Sequence, residues 1–111
     1  MASAGDIVKI SFPHTDFRES KDRYAVVLYF NPSTEDIIIA AITSQKWEDP
    51  GDFPLSKKDA EFAMSGLKTD SWFRIGKLVT AHQSLILQYV GKAGPKTQAR
   101  INEKLKLLFK I

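Results

Sequence analysis

Two histidines are the first residues of this sequence that suggest acid–base chemistry. His14 follows a segment of apolar and β-branched residues, and His82 precedes another. Because imidazole titrates at about pH 6.5, each ring is a candidate general acid or base. A ribonuclease of the two-histidine type would need both rings at one phosphate. The polar turn around His82 favours a solvated or structural role for that residue.

Arg23 and Thr43 form a second candidate pair. Arg23 directly precedes the apolar residues 24–30, and Thr43 directly follows the apolar residues 37–42. In an antiparallel hairpin the start of one strand lies beside the end of the next, so these two side chains are expected to be neighbours. A guanidinium beside a hydroxyl suits a phosphate. The alternative, which the spacing leaves open, is that Arg23 pairs with a nearby acid and Thr43 caps a turn.

Short strands and one long helix must position these residues. Alternation and β-branched content predict strands at residues 6–11, 24–30, 36–42, 71–75, 77–80 and 85–90, with Gly76 at a bulge or bend. Ser56 and Asp59 resemble an N-cap signature, which predicts a short helix over residues 57–64. Residues 12–22 and 43–52 are polar and are predicted to be loops.

The C-terminal segment is predicted to be an amphipathic helix that begins at Gly94 and Pro95. Its apolar residues follow the spacing of one helical face: Ile101, Leu105, Leu108 and Phe109. Several short strands followed by one helix predict a mainly β fold with α. The expected architecture is a small β-barrel or a strongly bent antiparallel sheet with a C-terminal helix.

Composition restricts the classes of protein and site. The 111 residues, 43% hydrophobic and 26% charged, predict one globular domain over residues 1–111. The absence of cysteine excludes disulfides, thiol nucleophiles and thiolate metal sites, and two histidines are too few for most histidine metal sites. No metal and no cofactor are therefore expected. Without a signal-peptide pattern or an apolar run of about 20 residues, the expected location is the cytoplasm, with no membrane contact.

The charge is distributed unevenly along the chain. Residues 1–66 contain seven Lys or Arg and eleven Asp or Glu, whereas residues 67–111 contain nine and two. A basic half of this size suits an anionic partner such as RNA, DNA or an acidic protein segment. The alternative is a lysine-covered surface helix, because five of the basic residues lie between Lys96 and Lys110.

Six short motifs occur in order along almost the whole chain. They are Gly5-Asp6-Ile7-Val8, Phe12-Pro13-His14-Thr15-Asp16, Arg23 with Ala25-Val26-Val27-Leu28, Ala40-Ala41-Ile42-Thr43-Ser44-Gln45, Ser65-Gly66-Leu67, and Ser71-Trp72-Phe73-Arg74 with Lys77-Leu78-Val79-Thr80. In this order they resemble the MazF/PemK family of toxin endoribonucleases from bacterial toxin–antitoxin systems. The segment from Leu85 to Gly91 and the final helix complete the pattern.

The resemblance implies an SH3-like β-barrel homodimer that cleaves single-stranded RNA at a short sequence without a metal. In that reaction the 2′-hydroxyl attacks the adjacent phosphate, leaving a 2′,3′-cyclic phosphate and a 5′-hydroxyl. The resemblance also implies a cognate antitoxin as partner, laid across the RNA groove. Two alternatives stay open: a non-cleaving, protein-binding toxin of the gyrase-inhibitor type, and an inactive nucleic-acid-binding relative.

By position, the family's catalytic arginine and threonine fall on Arg23 and Thr43. Arg23 would stabilise the negative charge of the phosphorane, and Thr43 would hold the scissile phosphate. The supporting or RNA-binding residues that the resemblance implies are Ser44, Gln45, Arg74 and Lys77, with Glu19 and His14 as rival candidates for the base. Phe17, Trp47 and Trp72 are aromatic candidates for stacking on bases, although the neighbouring Phe73 and Ile75 favour a place in the core for Trp72.

Two positions depart from the family pattern. Tyr24 replaces the proline that usually follows the arginine, so the backbone at the site is less constrained. Gly76 stands where one branch of the family has an aspartate, so that branch's acid–base scheme does not transfer to this sequence.

Overall fold

A computed structural model describes residues 1–12 and 21–111 of the chain. The elements are β1 (Asp6–Phe12), β2 (Lys21–Phe30), β3 (Asp36–Thr43), β4 (Asp52–Leu55), α1 (Phe62–Ser65), β5 (Ser71–His82), β6 (Ile86–Lys92) and α2 (Pro95–Phe109), with a 3-10 turn at Gln83–Leu85 between β5 and β6. The predicted class, mainly β with a C-terminal helix, is confirmed.

The strands form one antiparallel sheet in the order β4-β5-β3-β2-β1-β6, which in the described part of the chain is open between β4 and β6. Its registers shift in β2 between Val27 and Tyr29, along β1, and in β5. Bulges of this kind bend strands and increase their twist. The fold is therefore the strongly bent antiparallel sheet that was one of the two predicted architectures.

The bulge in β5 joins two strands that the sequence pattern separates. Ala40 of β3 pairs with Leu78, whereas the next residue, Ala41, pairs with Arg74. Residues 75–77 therefore lie outside the ladder, and Gly76 is at the predicted bulge. The expected strands at 71–75 and 77–80 are one strand that continues to His82.

Both faces of the sheet are apolar, and α2 covers one of them. That face is buried under Ile101 of α2, with Leu105 and Leu108 packed against its edge. It contributes Ile7, Val26, Ala40, Ile42, Phe73 and Ile75 to this core. The other face contributes Val8, Ile10, Ala25, Val27, Ile37, Ile39 and Ala41 to a second core. The predicted stripe of α2 is confirmed for three positions, while Phe109 is 57% exposed.

The helix predicted over residues 57–64 is wrong for most of its length, since α1 contains only Phe62–Ser65. Side chains in this segment bind the backbone amides that a helix would need. The Ser56 hydroxyl accepts from the amide of Lys58, and the Asp59 carboxylate accepts from the amide of Glu61. Such local bonds compete with helix formation.

Strand β4 is absent from the sequence prediction, because residues 43–52 have the composition of a loop and Pro54 disfavours a strand around it. Proline lacks an amide hydrogen, so it is tolerated on a strand that pairs on one side only. β4 is such an edge strand, and among the described residues its one neighbour in the sheet is β5. The Arg100 guanidinium donates to the Pro54 carbonyl at 2.9 Å and lies 4.5 Å from the Phe53 ring, which ties α2 to this edge.

Candidate functional site

The hairpin of β2 and β3 places Arg23 and Thr43 at the same end of the sheet. Tyr24 pairs with Ile42, so one step further along the register brings Arg23 opposite Thr43. Because side chains alternate between faces and paired residues share one, both project on the face of the second core, with Ala25 and Ala41. Arg23 is exposed and Thr43 is partly buried.

The Thr43 hydroxyl holds the turn that leaves β3. Its Oγ1 accepts a hydrogen bond from the backbone amide of Gln45 at 3.2 Å. A hydroxyl has one hydrogen to donate besides its acceptor sites, so this bond orients the oxygen and leaves the hydrogen for another group. Ser44 and Gln45 are exposed on the same turn. The turn-capping alternative for Thr43 is therefore present in the structure and is compatible with a phosphate contact.

Arg74 of β5 pairs with Ala41, and Trp72, two residues earlier on β5, pairs with Thr43. Arg74 therefore lies on the same face of the sheet as Thr43. Its Nε lies 3.4 Å from Oδ1 of Asp52, whose side chain is only 3% exposed. Its guanidinium carbon also lies 5.1 Å from the centroid of the Trp47 ring, a cation–π distance. The site end of the sheet thus holds a second guanidinium in a fixed place.

The loop from Ser44 to Gly51 is tied to β5 at several points. Lys46 Nζ lies 5.4 Å from the Trp72 ring, and the amide of Ile75 donates to the Gly51 carbonyl at 3.1 Å. The Asp49 carboxylate accepts from the amide of Gly51 at 2.9 Å, which closes the turn into β4. Lys77 is exposed in the β5 bulge.

His82 is far from this end of the sheet. It pairs with Asp36 at the start of β3, whereas Thr43 is at the end of that strand. Seven residue-to-residue steps along β3 separate the two positions by roughly 23 Å. The His82 ring nitrogen Nδ1 accepts from the amide of Ser84 at 3.1 Å and caps the 3-10 turn. This capping contact is the kind of structural role that the sequence favours for His82, which does not lie beside Thr43.

The predictions for His14 and Glu19 concern residues outside the described part of the chain, as does that for Phe17. Sequence reasoning did not find Asp52, because it is 22 positions from Arg74 and belongs to the strand that was not predicted. No three His, Cys, Asp or Glu side chains within residues 1–12 and 21–111 group as metal ligands would. In the same residues, no helix combines the length and apolarity that crossing a membrane requires.

Comparison with known proteins gives a family and a set of similar folds. A family model described as PemK-like, MazF-like toxin of type II toxin-antitoxin system matches residues 3–109. No curated protein sequence matches the chain significantly.

Three solved structures illustrate the similarity. An endoribonuclease in complex with its cognate antitoxin from mycobacterial species has a TM-score of 0.76 at 14% identity, covering 100% of this chain and 97% of its own. MazF (Form-I) from Deinococcus radiodurans has a TM-score of 0.77 at 18% identity, covering 99% and 97%. The Mycobacterium tuberculosis toxin MazF-mt6 has a TM-score of 0.74 at 16% identity, covering 96% and 97%. At these identities the likeness shows a shared fold.

Proposed function

Because the chain belongs to the family of PemK-like, MazF-like toxins of type II toxin–antitoxin systems, we propose that it is an endoribonuclease. Its substrate is single-stranded RNA, cut at a short recognition sequence without a metal ion. The observation that supports this most directly is the register of β2 and β3, which brings the ends that bear Arg23 and Thr43 together on one face.

The proposed reaction is an internal transfer at phosphorus. The 2′-oxygen forms a bond to the adjacent phosphorus while the bond from phosphorus to the 5′-oxygen breaks. A base takes the proton of the 2′-hydroxyl, and the leaving 5′-oxygen gains a proton. The products are a 2′,3′-cyclic phosphate and a 5′-hydroxyl. His14 and Glu19 remain the candidates for the base.

Arg23 and Thr43 have different tasks in this scheme. Negative charge grows on the phosphoryl oxygens in the pentacoordinate state, and a guanidinium fork placed there lowers the barrier. Arginine keeps its proton at neutral pH, so Arg23 acts by charge and hydrogen bonding rather than as an acid. The Thr43 hydroxyl, oriented by the Gln45 amide, donates to the phosphate. Arg74, Lys77 and the exposed Ser44 and Gln45 are proposed to hold the flanking RNA.

The proposed partners derive from the same family membership. The mycobacterial endoribonuclease that this chain resembles was solved with its cognate antitoxin. We propose that the present protein binds an antitoxin of this kind. We also propose that residues 1–111 form one toxin domain, that two copies form a homodimer, and that the protein acts in the cytoplasm.

The test is RNA cleavage in EDTA by the wild type, Arg23→Ala and Lys58→Ala. Lys58 is a matched control, because it is an exposed cation between β4 and α1. We expect Arg23→Ala to lose activity about a thousandfold, as for removal of one preorganised donor, and Lys58→Ala to cleave like the wild type. Mapping of the product ends should give 2′,3′-cyclic phosphates.

Two results would contradict the proposal. Cleavage that EDTA abolishes would replace it with a metal-dependent nuclease. RNA of varied sequence left intact by well-folded protein would favour the protein-binding toxin or the inactive relative.

A further inference from the structure

Trp47 is the large aromatic side chain that the loop after Thr43 presents to solvent. Its side chain is 57% exposed, whereas Trp72 on the neighbouring strand is only partly exposed and is covered by Lys46. A tryptophan exposed to this extent leaves much apolar surface in water. Its position four residues beyond Thr43 places it beside the proposed site.

Arg74 covers one part of the Trp47 ring system and leaves the rest accessible. The guanidinium carbon lies 5.1 Å from the ring centroid. Arg74 is itself held by Asp52 at 3.4 Å, and the Asp52 carboxylate also accepts from the Asp49 amide at 3.4 Å. Because Asp52 is nearly buried, this chain of contacts fixes both the arginine and the ring that lies against it.

The backbone around Trp47 is also fixed. The next residue, Glu48, has a φ of 58°, a left-handed conformation that residues with a side chain adopt at a cost. Asp49 then closes the turn to Gly51, and the Gly51 carbonyl accepts from the Ile75 amide of β5. These contacts constrain the backbone that carries the indole, and a constrained loop loses less entropy on binding.

A flat ring with a cation on one side and water on the other has a specific use in single-stranded nucleic acid binding. Unpaired bases stack on aromatic side chains, and nearby arginines and lysines bind the phosphates that connect them. Trp47 has both neighbours: Arg74 against the ring, and Lys46 one position earlier over Trp72. The carboxylates of an acidic peptide would use the cations, but they do not stack on an indole as every base does.

We propose that Trp47 is a base-stacking platform for one unpaired nucleotide next to the scissile phosphate, with Arg74 as the cation behind it. This inference rests on the proposed function and adds a subsite to it. It makes Trp47 a residue that selects how the RNA strand lies in the site, while the reaction itself takes place at Arg23 and Thr43.

The test uses a 12-nucleotide RNA centred on the mapped cleavage site, with a 2′-deoxy sugar at the attacking nucleotide so that it is bound and not cut. Affinity is measured for the wild type, Trp47→Ala, Trp47→Phe and Tyr29→Ala. Tyr29 is the matched control, because it is an aromatic residue 50% exposed at the far end of β2. The series is repeated with each base removed in turn to leave an abasic sugar.

We expect Trp47→Ala to weaken binding about five- to a hundredfold, Trp47→Phe to recover most of this loss, and Tyr29→Ala to bind like the wild type. One abasic position should weaken binding to the wild type and have little further effect on Trp47→Ala. In a Trp72→Phe background, where Trp47 is the one tryptophan, the RNA should quench the fluorescence. That measurement keeps the indole intact and does not depend on the stability of Trp47→Ala.

Three outcomes would overturn the inference. The abasic losses and Trp47→Ala could prove additive at every position, the fluorescence could be unchanged by bound RNA, or Trp47→Ala could bind the RNA as tightly as the wild type. If the RNA is cleaved and bound normally in these cases, the proposed function stands and the stacking subsite alone fails. A wild type that neither binds nor cleaves any RNA would overturn both.

Discussion

The Thr43 hydroxyl must serve the fold and the proposed reaction at once. It accepts from the Gln45 amide at 3.2 Å, and in the proposed function its hydrogen goes to the phosphate. Thr43 is the last residue of β3, where a β-branched side chain also suits the strand. The two tasks can therefore be separated by substitutions that keep the branch or keep the hydroxyl.

Thr43→Val keeps the β-branched shape and removes the hydroxyl, whereas Thr43→Ser keeps the hydroxyl. We expect Thr43→Val to cleave RNA about a hundredfold more slowly, since one preorganised donor is lost, and to lose about 1 kcal/mol of stability with the turn hydrogen bond. Thr43→Ser should stay within about tenfold of the wild type. Single-turnover cleavage and thermal unfolding measure the two effects. Equal activity of Thr43→Val and the wild type would show that Thr43 only caps the turn.

At the scale of elements, the sequence predicted those features that local pattern determines. The β2–β3 hairpin follows from two apolar runs and a short turn, so the positions of Arg23 and Thr43 follow as well. The β5 bulge was marked by Gly76. By contrast, the bond between Asp52 and Arg74 depends on the pairing of β4 with β5, a long-range contact that no local spacing reveals.

The segment before α1 shows the same limit in another way. Ser56 and Asp59 predict a helix here, but in the structure their side chains bind amides of turns. The side chain in this segment that caps a helix is Glu61, and the helix is α2. The Glu61 carboxylate accepts from the amides of Lys96 and Thr97 at 2.8 and 2.7 Å, and from the Thr97 hydroxyl at 2.7 Å. An acid from one part of the chain therefore caps a helix 35 residues later. A Cβ at Gly94 would clash with this carboxylate, so a larger residue where α2 begins would push the carboxylate out of the cap.

This cap predicts how stability depends on pH. Burial by itself raises the pKa of the Glu61 carboxyl, but hydrogen bonds from the Thr97 hydroxyl and the two amides, with the charge of Lys96, outweigh it. The pKa therefore lies below its ordinary value of 4.5. Because the unfolded chain takes up the proton first as pH falls, the stabilisation is present above that value. It is lost as pH falls through the folded-state pKa.

We expect Glu61→Gln to unfold at a lower temperature than the wild type at pH 7, and this difference to shrink as pH falls below about 4. Glu103→Gln is the control, since Glu103 is an exposed acid on α2, the helix that Glu61 caps. Thermal unfolding across pH measures both. A difference between Glu61→Gln and the wild type that stays constant with pH would mean that the carboxylate charge does not stabilise α2.

At the scale of the whole molecule, the basic half of the sequence divides between two surfaces. Arg74 and Lys77 belong to β5, the strand that pairs with Thr43 through Trp72. α2 packs on the opposite face of the sheet from Arg23 and Thr43. Five other basic residues belong to α2 or follow it directly: Lys96, Arg100, Lys104, Lys106 and Lys110. Arg100 is already engaged with β4. The net charge therefore overstates the number of cations that one RNA strand at the site can contact.

This division predicts which cations set the salt dependence of RNA binding. Each phosphate contact to a single strand contributes a slope of about −0.7 to a plot of log affinity against log salt. We expect Lys77→Gln to make the slope shallower by about that amount, because Lys77 is an exposed cation three residues after Arg74 on β5. Lys96→Gln is the matched control, an exposed lysine at the start of α2, and should keep the wild-type slope. Affinity for the 2′-deoxy RNA between about 50 and 300 mM salt measures both slopes. A larger change in Lys96→Gln would place the RNA along α2, and the site face would then account for little of the electrostatic attraction.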